Sequence, residues 1–65
     1  MKNNIRKLRK IYNLTQQILA DKTNVSRQTI FTIENDKYDP SLKLALKIAK
    51  LLKKPIEDIF ILNDD

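Results

Sequence analysis

The sequence predicts one small all-α domain of five short helices, with short strands conceivable only at the two termini. The chain has 65 residues, which is enough for a single thin core. Its apolar residues recur at helical spacing, and strand-like alternation is nearly absent. Turn-forming residues interrupt this pattern at Tyr12-Asn13, at Thr23-Asn24, from Asn35 to Ser41 and at Lys54-Pro55. We therefore treat residues 1–65 as one domain.

The first two predicted helices are Asn4–Tyr12 and Thr15–Lys22. In the second helix, Thr15 is placed as the N-cap, and Ile18 and Leu19 are expected to point inward. The predicted buried face of the first helix consists of Ile5, Leu8, Ile11 and Tyr12.

The third predicted helix is Ser26–Glu34, which again begins at a hydroxyl cap. Ile30 and Ile33 form its buried stripe. The last predicted helix is Pro55–Phe60, with the proline at the first helical position. The apolar run that ends at Leu62 could fill the core of the domain, pair with residues 1–4 or pair with another chain.

The fourth predicted helix, Ser41–Leu52, is both basic and apolar. In isolation it resembles a helix that lies on a membrane surface. Its lysines, however, fall within one narrow sector, and apolar residues cover more than half of the circumference. A helix of this kind more often packs at the centre of a bundle, so the core interpretation is preferred over membrane binding.

Charge and missing residue types narrow the function. Thirteen Lys and Arg against eight Asp and Glu give a net charge of +5, which favours a polyanionic partner, most often nucleic acid. The chain has no Cys, His or Gly. The commonest general base, thiol chemistry and glycine phosphate loops are therefore excluded, and neither an enzyme nor a metal or cofactor site is expected. No signal peptide is visible at the start, so a cytoplasmic protein is expected.

The most informative stretch is residues 16–35, QQILADKTNVSRQTIFTIEN. Ala20 is small enough for a second helix to cross closely. Asn24 follows four residues later, where the turn needs a residue that tolerates positive φ. Val25 then provides an apolar plug before the second helix. These residues at these offsets predict a helix-turn-helix.

The run LTQQILADKTNVSRQTIFTIENDKYDPSLKLALKIAKLLKKPIEDIF resembles the Xre or lambda-repressor-like (Cro/repressor) class of helix-turn-helix regulators, in particular its minimal single-domain members. The resemblance extends from Ile5 to about Phe60 and is most specific at SRQTI and YDPSL. It implies a five-helix DNA-binding domain that acts as a homodimer on a palindromic operator, most often as a repressor.

The chain departs from the family at its turns. Positions where the family usually has glycine hold Asn13, Asn24 and Asp36, which tolerate left-handed backbone next best. Thr23 stands where the family prefers leucine, and we expect it to loosen the end of the second helix.

The outward side of the third helix carries the predicted base contacts, Arg27, Gln28, Phe31 and Thr32. Arg27 can bind guanine through two hydrogen bonds, and Gln28 can bind adenine in the same way. The alternative for both is a solvated helix surface, and Phe31 could instead cover part of the domain. The predicted phosphate contacts, which follow from the resemblance, are Gln16, Asn35, Lys37 and Tyr38; packing is an equal alternative for Tyr38.

The resemblance also implies a structural role for Arg9 and Glu34, which pair as a half-buried salt bridge in the family. The dimer interface is expected in a C-terminal segment, residues 55–65, through Ile56, Ile59, Phe60, Ile61 and Leu62. The main alternative function is an antitoxin-like protein-interaction module that also binds DNA.

Overall fold

Two short strands, one near each end of the part of the chain that the structure describes, flank the helices. The structure, a computed structural model, describes residues 1–62; the last three residues of the predicted dimerisation segment, 63–65, lie outside the described part. Within residues 1–62 the elements are β1 (Lys2–Asn3), α1 (Ile5–Ile11), α2 (Gln16–Thr23), α3 (Arg27–Glu34), α4 (Leu42–Leu52), α5 (Ile56–Ile59) and β2 (Phe60–Ile61). The prediction of a five-helix domain with short terminal strands is confirmed.

The two strands join the ends of the chain. They pair antiparallel, with Lys2 opposite Ile61 and Asn3 opposite Phe60. The backbone N–H of Asn4 also donates a 2.8 Å hydrogen bond to the carbonyl oxygen of Ile59. The C-terminal apolar run therefore pairs with the start of the same chain, which is one of the predicted alternatives.

Hydroxyl side chains begin three of the helices as predicted. Thr15, Ser26 and Ser41 cap α2, α3 and α4. Each side-chain oxygen accepts a hydrogen bond from the backbone N–H three residues later, at 3.0, 3.1 and 3.2 Å. Pro55 differs from the prediction, because it occupies the N-cap of α5 and not its first helical position.

The turns between helices use left-handed backbone without glycine. Asn13, Asn24 and Asp36 have φ values of 56°, 60° and 60°, as their place in the sequence predicts. Lys53 has a φ of 56° and ends α4 in the same way, although its side chain gives no local advantage in this conformation. The expected loosening at Thr23 is wrong: α2 includes this residue, whose hydroxyl donates to the carbonyl oxygen of Leu19 at 2.8 Å.

The hydrophobic core draws residues from every helix. Its members are Ile5, Leu8, Leu19, Ala20, Ile30, Ile33, Leu44, Ala45, Ile48, Leu52, Ile59 and Phe60. Because α4 supplies more of them than any other helix, it is a core helix, as predicted. No helix within residues 1–62 combines the length and the apolar character needed to cross a membrane.

Three apolar residues that we expected inside are exposed. Ile11 is the last residue of α1 and Tyr12 its C-cap, so both lie beyond the part of that helix that the core covers. Ile18 is exposed because Leu19, Ala20 and Thr23 set the buried direction of α2. At 3.6 residues per turn, Ile18 points roughly 145° away from that direction.

Candidate nucleic-acid interface

A tight turn fixes α3 against α2. Asn24 takes the left-handed conformation at the end of α2, and the N–H of Val25 donates to the carbonyl oxygen of Ala20 at 3.1 Å. Ala20 is fully buried, so the two helices approach closely at this point. Ile30 and Ile33 are buried on the inner side of α3, which leaves the opposite side facing solvent.

The predicted base-contact residues occupy that outer side of α3. Arg27, Gln28 and Phe31 are exposed, Phe31 by 47%. Thr32 is only half exposed, and its hydroxyl donates to the carbonyl oxygen of Thr29 at 2.9 Å. The structure thus gathers all four on one helix, with Thr32 closer to the protein than the other three.

The predicted phosphate contacts flank α3 on two elements. Gln16 is the first residue of α2, half-buried, and its Nε2 donates to Glu34 Oε1 at 3.1 Å. Asn35 follows α3, and its Nδ2 donates to the carbonyl oxygen of Phe31 at 2.8 Å. Lys37 and Tyr38 are exposed in the loop that continues from Asn35. Two of these side chains are therefore held by the protein, and two extend into solvent.

A buried carboxylate joins α1, α2 and α3. The side chain of Glu34 has no exposure to solvent. Arg9 reaches it with two nitrogens, Nε at 2.9 Å from Oε2 and Nη2 at 3.2 Å from Oε1. Arg9 Nη1 donates in addition to the carbonyl oxygen of Leu14, at 3.0 Å. Such a two-pronged, charge-assisted pair fixes both position and angle.

Two further members of this cluster were not predicted. Gln16 contacts Glu34 as described above, and Arg6 Nε lies 3.5 Å from Glu34 Oε1. Arg6 precedes Arg9 by three residues, so the two share one side of α1. The spacing of the two arginines could have indicated that both reach Glu34. No feature of the sequence could have indicated the contact of Gln16, because that contact depends on how α2 crosses α3.

The predicted dimer residues divide between core and surface. Ile59 and Phe60 are buried in the core of the same chain, so their assignment to a dimer surface is wrong. Ile56 is half-buried, whereas Ile61 and Leu62 are exposed. Ile59 of α5 and Phe60 of β2 close the core next to β1, so one chain buries apolar side chains that were predicted to contact a partner.

An apolar surface on α4 was missed. Leu42 is 71% exposed and Leu46 is 54% exposed, and both lie on one side of the helix because they are four residues apart. Leu42 also lines a groove of about 290 Å³ together with Met1, Pro40, Ala45, Ile56 and Phe60. The prediction of α4 as a core helix did not separate these two leucines from the buried residues of that helix.

A tight turn holds α3 on the outside of the helical bundle, with its polar side exposed and basic residues nearby. This arrangement is typical of a helix-turn-helix DNA-binding domain. A helix-turn-helix family model matches residues 5–59. An uncharacterized HTH-type transcriptional regulator of Methanocaldococcus jannaschii is 62% identical over 65 residues, which cover 100% of this chain and 98% of the relative. The HTH-type regulator YgzD of Bacillus subtilis is 42% identical, with 100% and 98% covered.

A solved structure shows the same fold. The restriction-modification controller protein C.AhdI of Aeromonas hydrophila matches with a TM-score of 0.77 at 28% identity, over 86% of this chain and 85% of the controller. The chain belongs to the Xre/lambda-repressor-like helix-turn-helix family of transcriptional regulators. Because this is a family of regulators and not of enzymes, the prediction of a non-catalytic protein is confirmed.

Replacement of Arg9 by methionine should lower the free energy of unfolding by about 3 kcal/mol or more, because the buried Glu34 carboxylate loses its main partner. The double variant Arg9→Met/Glu34→Met should be more stable than Arg9→Met alone, since no charge is then left buried. Urea unfolding followed by circular dichroism, at one protein concentration, measures both.

The matched control is Arg6→Met, which removes the exposed arginine of the same cluster and should cost less than about 1 kcal/mol. An Arg9→Met variant as stable as Arg6→Met, or a double variant weaker than Arg9→Met, would contradict this role for the pair.

Proposed function

We propose that the protein is a repressor that binds a palindromic operator as a homodimer, with α3 of each protomer in a major groove. The observation that carries the proposal is the two-sided character of α3. Ile30 and Ile33 hold its inner side in the core, while Arg27 and Gln28 extend from its outer side near the helix N-terminus. In helix-turn-helix proteins this end of the second helix contacts base edges.

The side chains on α3 match the chemistry of the major groove. Arg27 can donate two hydrogen bonds to guanine O6 and N7, and the amide of Gln28 can pair with adenine N6 and N7. Phe31 offers an exposed ring to a thymine methyl group. The hydroxyl of Thr32 already donates a hydrogen bond to the carbonyl oxygen of Thr29, so the methyl group of Thr32 is the better candidate for a thymine contact.

Phosphate contacts would set the position of α3 in the groove. Gln16 is suited to this because one amide N–H is held by Glu34 and the Nε2 group carries a second N–H. Its place at the N-terminus of α2 adds the backbone N–H groups that favour an anion. Asn35, Lys37 and Tyr38 would hold the backbone on the other side of α3. The net charge of +5 supports attraction to DNA over a longer range.

A homodimer is proposed because one helix of this length makes too few base contacts for tight, specific binding. Leu42 and Leu46 supply an exposed apolar surface for it on α4, next to the groove that Leu42 and Met1 line; Ile61 and Leu62 are further exposed apolar residues. Two α3 helices about 34 Å apart would then contact half-sites one turn of duplex apart. A small dimer bound at a promoter would repress transcription because it blocks other proteins from binding the same DNA.

The first test selects bound duplexes from a random pool and then compares the wild type with Gln28→Ala. We expect a two-fold symmetric sequence and an affinity that falls steeply as salt rises. Gln28→Ala should lose preference at one base pair of each half-site, a change of about 1–3 kcal/mol, and keep it elsewhere.

Gln17→Ala is the matched control, since Gln17 is an exposed glutamine on α2 that bonds Asp21. It should leave the selected sequence unchanged. If Gln28→Ala weakens binding equally on every sequence, Gln28 contacts the backbone; if the wild type selects no sequence at all, the proposed function is wrong.

The second test places charge on the proposed dimer surface. Leu42→Glu/Leu46→Glu should shift the protein from dimer to monomer in analytical ultracentrifugation, because a dimer would have to bury two carboxylates. Ile11→Glu, at an exposed apolar residue of α1, is the control and should leave the dimer intact. Equal association of both variants would show that α4 does not form the dimer.

A further inference from the structure

A basic cleft of about 420 Å³ opens along α1, beside the C-terminal end of α3. Its lining consists of Asn3, Asn4, Arg6, Lys7, Lys10 and Glu34. The three basic residues are all exposed, and Lys10 lies three residues after Lys7 and four after Arg6, so that all three are on one side of α1. The predicted phosphate contacts, Gln16, Asn35, Lys37 and Tyr38, lie on other parts of the chain.

The cleft carries a strong positive charge. Its single acidic group, Glu34, is already neutralised by Arg9 from within the protein. Arg6 contacts Glu34 only through Nε, and the guanidinium group has further N–H donors. Within residues 1–62, no ion pair involves Lys7 or Lys10. Arg6, Lys7 and Lys10 therefore line the cleft, and the one carboxylate in its lining is already paired with Arg9.

The cleft adjoins the proposed DNA-binding surface at two points. Glu34, in its lining, accepts the hydrogen bond from Gln16, the proposed phosphate contact on α2. Asn3, on its other side, donates to the carbonyl oxygen of Ile33 at 2.8 Å and to Asp36 Oδ1 at 3.3 Å. Asp36 is the neighbour of Lys37 in the loop after α3. A DNA strand that follows this loop would continue toward the cleft.

We propose that this cleft binds backbone phosphates of the DNA that flanks the half-site contacted by α3. The inference rests on the proposed function and extends its contact surface. Long, exposed basic side chains around an open cleft suit a passing phosphate chain, whereas a small-molecule site encloses most of its ligand. Such contacts carry no base information, so they raise affinity and salt dependence without changing sequence preference.

The experiment compares two duplexes that contain the same selected operator. One ends at the operator, and the other has about 10 additional base pairs, one helical turn, on each side. The wild type should bind the longer duplex more tightly at low salt. Lys7→Gln/Lys10→Gln leaves Arg6 in place, so it should lose most but not all of that preference. Its log–log salt slope on the longer duplex should be smaller by about 2 to 4, since each lost phosphate contact removes about 0.9 and a dimer would lose two to four such contacts.

The matched control is Lys43→Gln/Lys50→Gln, which removes the same charge from exposed lysines of α4. It should keep the preference for the longer duplex. Arg6→Gln tests the third cation, and thermal unfolding by circular dichroism separates a lost DNA contact from a loss of folding caused by its contact with Glu34.

The proposal is overturned if Lys7→Gln/Lys10→Gln retains the full preference for the longer duplex, or if it changes the selected sequence. It is also overturned if the wild type is sequence-specific but binds both duplexes equally, a result that leaves the proposed function intact. A wild type without sequence preference would reject the proposed function itself. Tight binding of pyrophosphate in the cleft without DNA, with no effect of flank length, would assign the cleft to a small phosphorylated ligand instead.

Discussion

The carboxylate of Glu34 holds the first three helices in their mutual arrangement. It lies at the last position of α3, where two nitrogens of Arg9 from α1 and one of Gln16 from α2 reach it. A charge without solvent exposure is stable only while these partners remain, so the three helices cannot shift relative to one another without stranding it. The orientation of α3, and with it the direction of its outer side, depends on this one buried group.

The rest of the structure supports α3 from behind. A chain of 65 residues has a thin core, and α4 supplies its largest share. The β1–β2 pair closes the core at the chain ends, which explains why Ile59 and Phe60 face inward. Basic side chains are exposed on α1 and α3, and the apolar side chains of Leu42 and Leu46 are exposed on α4. This arrangement suits the proposed function, in which one small domain contacts both DNA and a second protomer.

Much of the fold could be predicted because its determinants are local. The hydroxyl caps at Thr15, Ser26 and Ser41 act within three residues, and the left-handed turn at Asn24 depends on the residue that occupies it. The outward side of α3 could be predicted because Ile30 and Ile33 mark the side that faces the core. The failures were at positions decided by distant contacts. Ile18 is exposed because neighbouring residues of α2 face the core instead, and the contact between Gln16 and Glu34 exists only once α2 and α3 have packed.

The most direct measurement is nuclear magnetic resonance of the protein bound to its selected operator duplex, with contacts detected between protein side-chain protons and DNA base protons. The account predicts that such contacts come from Arg27, Gln28 and Phe31 on α3. Base contacts that come instead from the lysines of α4, with the side chains of α3 unchanged from the unbound protein, would contradict it.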